Sequence, residues 1–317
     1  MVVLAAIACL SLVRQREQIK SEATLKEEAG FLRATFTSIK GTVTVILPSD
    51  IAQGDTISGT YFTDVKAKDL TDIQIDLGKA HGPPGDISNN PRRKWDIPSD
   101  AEPRLTLAVW TPDGTSFGTT YVSVATKRPK STQFNCPSFA RIGAPCLIPG
   151  PFDGDAENTT AKAAGVDCPV LAESPRGAVM LIPSAMKMGI STIQIKELNT
   201  NIEAPTRMLS VSIHSPKASI SVGEQSTFSI KIDGLLGVHP DKAPMIVLEN
   251  LTPKVIDLQG KVKHYLFAKP SEDGTYQSTL SINRLAAGKF AISAIVDPGI
   301  GTFITQPQNS NSHRSAI

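Results

Sequence analysis

From residue 41 onward apolar side chains recur at every second position, and this rhythm restricts the fold more than any other feature of the chain. "GTVTVILP" (41–48) alternates through Val43, Val45 and Leu47, "DTISGTYF" (55–62) through Ile57 and Tyr61, and "TDIQIDLG" (71–78) through Ile73, Ile75 and Leu77. A period of two turns one face of a strand to a core and the other to water, whereas a helix needs a period near 3.6. "RLTLAVW" (104–110) and "TTYVSVAT" (119–126) read the same way and are joined across "TPDGTSFG". Gly and Pro, 23 of each, fall between the apolar runs as turn formers. The expected class is all-β, with small sheets closing face to face.

A chain of 317 residues suits two or three such modules. "VVLAAIACLSLV" (2–13) is apolar throughout, long enough for the core of a secretory signal and shorter than the ~20 residues that span a bilayer. Residues 1–13 are therefore read as a signal-like or anchor segment. Arg14 and Arg16 follow this core, where a signal carries its charge ahead. "AIAC" resembles a lipoprotein cleavage box, making Cys9 a candidate for lipidation. Residues 14–33 are rich in good helix formers and read as a polar helical stalk. Beyond them, 34–128, 129–205 and 206–297 are expected as three β-sandwich domains, and the polar stretch 298–317 as a disordered tail.

The segment "RIGAPCLIPGPFDGDAENTT" (141–160) continued by "AKAAGVDCPVLAESPRGAVMLIPSAMKMGISTIQIKE" (161–197) resembles the IPT/TIG type of immunoglobulin-like domain. It carries a Gly-rich opening, an apolar strand ending in Gly, and closing strands of the "P…G…I.V" kind. "VGEQSTFSIKIDGL" (222–235) and "DGTYQSTL" (273–280) look like the generic bacterial Ig-like modules that often follow. The resemblance implies tandem immunoglobulin-like β-sandwiches at a bacterial cell surface. It further implies secretion or envelope anchoring, with a protein or carbohydrate partner and a role in adhesion, binding or spacing. The rival readings are a non-catalytic accessory region of an extracellular hydrolase and a structural subunit of a surface or phage fibre.

Candidates for chemistry are sparse. The net charge of +2, from 32 basic and 30 acidic residues, provides no field to recruit nucleic acid. "PRRKW" (91–95) reads as a solvated loop. "GTSFG" (114–118) matches the nucleophile-elbow pattern, but that pattern needs a strand before and a helix after, and here a turn precedes and a strand follows. The five histidines are far apart, and no phosphate loop is present. No enzymatic activity and no cofactor are expected.

Asp153, Asp155 and Glu157 are oxygen donors of the kind calcium takes, although the EF-hand Gly and Glu positions are filled by Asn158 and Ala164. An inter-strand loop is the preferred reading of that stretch, with calcium as the alternative. In "AESPRG" (172–177), Arg176 is read either as an outward contact residue or, preferably, as pairing with Glu173. Cys136, Cys146 and Cys168 cluster without the C-x-x-C spacing of a zinc site; in an oxidising compartment a Cys146–Cys168 disulfide is the candidate bridge.

Overall fold

The computed structural model describes residues 22–28, 30–38, 40–65, 73–78, 80–81, 91–111 and 115–214, and then 219–221, 225–234, 245–250, 261–265, 276–283, 288–296, 303–304 and 308–313. The signal-like segment, Cys9 and the first part of the expected stalk lie outside them. Among the described residues every helix or strand assigned is a β-strand, so the chain is all-β. The chain divides into two compact units. One comprises Met1–Cys136, Pro145–Leu181 and Gln194–Glu203; the other comprises Pro137–Ala144, Ile182–Ile193 and Ala204–Ile317.

The first unit opens with β1 (Glu22–Glu28), β2 (Phe31–Ser38), β3 (Gly41–Pro48), β4 (Thr56–Thr63), β5 (Gln74–Leu77), β6 (Ala80–His81), β7 (Arg92–Asp96), β8 (Arg104–Trp110) and β9 (Ser116–Ser123). Strands β1 to β4 pair antiparallel in succession, and β7 pairs with β4; β6, β5, β8 and β9 form a second sheet in that order. The period-two positions close the space between them: Val43, Val45 and Leu47, Ile57 and Tyr61, Ile75 and Leu77, Trp95, Leu107, Val109 and Phe117 belong to one buried cluster. This is a β-sandwich whose inner faces are the ones the alternation marks.

Two expectations fail here. Residues 22–28 and 31–33 form no helix, because β1 pairs with β2 over its whole length, from Glu22 against Thr37 to Glu28 against Phe31. Ala23 and Leu25 pack on the core cluster, and tertiary pairing overrides helix propensity. "PRRKW" is no solvated loop either. It is β7, with Trp95 2% exposed and its Nε1 donating to the Ile75 carbonyl, and with the buried Arg93 stacked 5.0 Å from the Tyr61 ring. An apolar residue and the long stem of an arginine supply the inward face that the charges disguise.

The chain continues with β10 (Phe139–Arg141), β11 (Pro145–Pro149), β12 (Thr159–Ala163), β13 (Val166–Asp167), β14 (Val170–Ser174), β15 (Gly177–Leu181), β16 (Gly189–Glu197) and β17 (Thr200–His214). β14 adds to β4 where the pairing of β4 with β3 stops at Thr60, Ala172 facing Gly59 and Glu173 facing Ser58, and β15 and β11 extend the sheet beyond it. A second buried cluster, Phe31, Ile46, Leu171, Ala172 and Val179, forms from residues that alternate with those of the first along β2 and β3. Strand pairing thus crosses position 128, where a domain boundary was expected.

In the other unit, β10 lies parallel to β17 with Phe139 opposite Arg207, and Ser210–His214 of β17 pair antiparallel with the strand Gln225–Asp233, which pairs in turn with Tyr276–Asn283. A further sheet joins Ser219–Ser221, Gln308–His313, Gly288–Val296, Met245–Asn250 and Lys261–Tyr265 in that order, with Phe303–Ile304 beside Gly288–Val296. The expected disordered tail is therefore strand at 303–304 and 308–313. Main-chain groups carry a ladder whatever the side chains are, so a polar Asn/Ser run is a weak argument against pairing.

Candidate functional site

The only His/Cys/Asp/Glu cluster with metal-ligand geometry among the described residues lies in the first unit, and of the acids read from sequence as a calcium set it includes Asp153 alone. Asp153, Glu173 and Glu197 each place a carboxylate oxygen within 4.8 Å of the others. Glu173 stands mid-sheet on β14, opposite Ser58 of β4 on one side and Ala178 of β15 on the other. These small neighbours leave room above it. The loop 150–158 covers that room, and β12 and β16 present Thr159 and Glu197. Glu173 is fully buried, and Glu197 and Thr159 are each 3% exposed.

Six carboxylate oxygens meet here, and each has a protein partner. The Gly154 amide donates to Glu173 Oε1 at 3.0 Å and the Asp153 amide to Glu197 Oε1 at 2.9 Å. Thr159 Oγ1 lies 2.7 Å from Glu173 Oε2 and is also hydrogen-bonded to Glu197 Oε2. Asp153 Oδ1 accepts from the Asp155 amide and Oδ2 from Asn158 Nδ2. Burial, with Glu197 and Asp153 nearby, pushes the Glu173 carboxyl up to about 8. Protein donors thus hold the cluster together as it stands, with three acidic side chains where calcium usually gathers six or more oxygens.

The loop that closes the cluster is fitted to β4 at Gly154. Its φ is +90°, a conformation that favours glycine, and a Cβ at this position would lie 1.9 Å from the Thr56 carbonyl oxygen. The Ala156 amide donates to Ser58 Oγ at 3.0 Å, a second tie to the same strand.

The other sequence candidates are dispersed. Asp155 faces away from the cluster; burial raises its carboxyl, but the Lys94 ammonium at 2.8 Å and the Glu157 amide outweigh this and hold it below the usual range. The Asp153–Asp155–Glu157 set is thus linked by local turns, with Asp155 paired to Lys94. Arg176 does not pair with Glu173. It turns into the first unit, where Nε is 2.7 Å from Asp50 Oδ2, Nη1 is 3.2 Å from Asp55 Oδ1 and Nη2 bonds Asp55 Oδ2. The reason is alternation: neighbours along β14 and its turn point to opposite faces, and Glu173 is committed to Thr159.

Cys136, Cys146 and Cys168 are free thiols. The expected Cys146–Cys168 bridge is absent: β15 runs between β11, which carries Cys146, and β14, which begins two residues after Cys168, with Met180 facing Cys146 on one side and Val170 on the other. Strands one removed from each other stand roughly 9.5 Å apart, beyond disulfide reach. Burial pushes the Cys146 thiol up to about 12 and the Cys168 thiol to about 11. Ser116, the serine of "GTSFG", opens β9, and its Oγ accepts from the Gly118 amide at 3.1 Å.

Sequence reasoning missed Glu197 and Thr159 and gave Glu173 the wrong partner, although parity marks the first two. Ile193, Ile195 and Glu197 fall on one face of β16, and Thr159, Ala161 and Ala163 on one face of β12, each series buried. A carboxylate at an inward position was the available signal.

No protein-family model matches the sequence, and no curated protein matches it. Among solved structures, the full extracellular region of plexin A4 aligns with 94% of this chain at 9% identity and a TM-score of 0.29, and this chain covers 25% of it. FdeC, an Escherichia coli adhesin, aligns over 86% of this chain and 96% of its own at 12% identity and a TM-score of 0.24. SGBP-B of Bacteroides ovatus, in complex with a mixed-linkage heptasaccharide, aligns over 84% of this chain and 65% of its own at 13% identity and a TM-score of 0.20. The all-β assignment rests on the strand pairing described above, not on these alignments.

Proposed function

We propose that this chain is a bacterial extracytoplasmic protein of Ig-like β-sandwiches, the middle one of IPT/TIG type, that acts by binding and spacing at the cell surface without a bond-making step. The observation that carries this reading is the addition of β14 to β4, with Ala172 against Gly59 and Glu173 against Ser58. Modules that share a sheet have no hinge between them, and stiffness is what a spacer needs. Loops and edge strands at the ends of such a body are the surfaces that meet a partner. The partner class is protein or carbohydrate, and the N-terminal apolar segment is assigned to export or anchoring.

The test is fractionation of cells producing the full chain, with protease shaving of intact cells and mass measurement of the mature protein. An envelope or medium location, with cleavage or retention of residues 1–13, is the expected result. An intact chain in the cytosol, protected from external protease, would sink the proposal.

A further inference from the structure

Thr159 Oγ1 is hydrogen-bonded to two carboxylate oxygens at once, Glu173 Oε2 and Glu197 Oε2. A hydroxyl owns one proton and can donate to one of them only; the other contact is a hydrogen bond only if the carboxyl itself supplies the proton. Two ionised carboxylates cannot both be satisfied by one threonine. The remaining oxygens leave no alternative donor, since Glu173 Oε1 and Glu197 Oε1 already accept from the Gly154 and Asp153 amides.

We infer that Glu173 carries a proton at neutral pH and donates it to Thr159 Oγ1, which donates its own to Glu197 Oε2. This proton closes the 150–158 loop over β4, and its loss as the pH rises loosens the loop. The inference is independent of the proposed function.

The surroundings favour Glu173 over Glu197 as the holder of that proton, since Glu173 is fully buried between two paired strands whereas Glu197 ends β16. β4 offers Ser58 and β15 offers Ala178, both neutral. The loop contributes the Asp153 carboxylate, β12 the neutral Thr159, and β16 the Glu197 carboxylate. The cations of neighbouring segments are engaged elsewhere: Lys94 with Asp155, Arg92 Nη1 with the Ala156 carbonyl at 3.0 Å, Lys162 with Asp167, and Arg176 with Asp50 and Asp55. A buried carboxyl facing two others and no cation holds its proton well above the ordinary range, in line with the raised value given for Glu173. When the proton leaves, three carboxylates within 4.8 Å repel one another, and the loop is the part of the enclosure held by no strand ladder.

The experiment is carbon NMR of side-chain carboxyls in the full chain from pH 5 to 10, with amide exchange at Gly154 and Asp153 measured alongside. Glu173→Gln serves to assign the signal; Thr159→Val, which removes the relay, is the second variant. The expected result is a Glu173 inflection between pH 7 and 9 that neither millimolar calcium nor a chelator moves. Exchange at Gly154 and Asp153 should accelerate about tenfold beyond its intrinsic pH dependence across the same interval. A Glu173 inflection below pH 6, or one that moves by a full pH unit on adding calcium, would overturn the inference. Amide exchange at Gly154 and Asp153 is read on the unaltered chain and needs neither variant, so failure of either to fold does not remove the test.

Discussion

Gly154 joins the loop geometry and the carboxylate chemistry at a single residue. Its backbone has φ +90°, its missing side chain admits the Thr56 carbonyl, and its amide donates to Glu173 Oε1. Gly154→Ala should therefore cost about 2–4 kcal/mol, read from urea unfolding, because a methyl group can be admitted only by lifting the loop from β4. A loss under ~0.5 kcal/mol would show the contact to be loose. Glu173 makes a second prediction whose sign follows from linkage. Its folded value is raised from 4.5 to about 8, so below pH 4.5 it is protonated in both states and has no effect. Between pH 4.5 and 8 the folded chain holds a proton the unfolded chain has released, so stability falls as pH rises, by up to about 1.4 kcal/mol per unit, and levels off above 8. Glu173→Gln should flatten that slope and leave the protein at least as stable as the unaltered chain at pH 8. A parallel pair of stability curves for the two proteins between pH 5 and 8 would refute this.

Among the elements, the β14–β15 turn is fixed by Arg176, whose guanidinium engages Asp50 and Asp55 in the connection before β4. Asp55 is 6% exposed and also accepts from the Ala52 amide, so deleting its partner strands a buried charge. Arg176→Ala should cost about 3–5 kcal/mol, against less than ~1 kcal/mol for Arg128→Ala, whose contact with Asp50 is solvent-exposed. Equal losses for the two, measured by denaturant midpoint, would contradict the distinction. The elements themselves were legible where alternation was clean: β3 occupies Gly41–Pro48 and β8 Arg104–Trp110, the spans that Val43–Val45–Leu47 and Leu105–Leu107–Val109 mark out. β1 and β7 were hidden because their inward positions are filled by Ala23, Leu25 and the stem of Arg93 among charged neighbours. The acid cluster was hidden for a different reason. Asp153, Glu173 and Glu197 belong to three segments separated by 20 and 24 positions, brought together by the fold of the loop, the pairing of β12 with β16 and the contact of Thr159 on β12 with Glu173 on β14. Local spacing, which singled out Asp155 and Glu157, carries no information about such convergence.

At the scale of the whole molecule, sequence periodicity suggested modules strung in order, each contiguous, whereas the first unit is assembled from Met1–Cys136, Pro145–Leu181 and Gln194–Glu203. Periodicity reports which face of a strand is buried and is silent on which strand it meets, so this interleaving could not be read in advance. It has a consequence for fragments. A chain ending at residue 128, the expected domain boundary, retains both sheets of the β1–β9 sandwich but loses β14, leaving Ser58 and Gly59 of β4 without main-chain partners on that side. It also uncovers Phe31 and Ile46, 2% and 3% exposed in the intact unit, by removing Leu171, Ala172 and Val179. An open strand edge beside newly exposed apolar side chains is a template for association. Fragment 1–128 should therefore sediment as concentration-dependent oligomers and unfold at least about 8 °C below the full chain, taking a loss of two or more kcal/mol at ~4 °C per kcal/mol. The transition can be followed by the fluorescence of Trp95, which is 2% exposed within the β1–β9 core. A monomeric fragment whose Trp95 transition coincides with that of the full chain would show that β14 to β15 add nothing to the first sandwich, and that the boundary at 128 is energetically real despite the shared sheet.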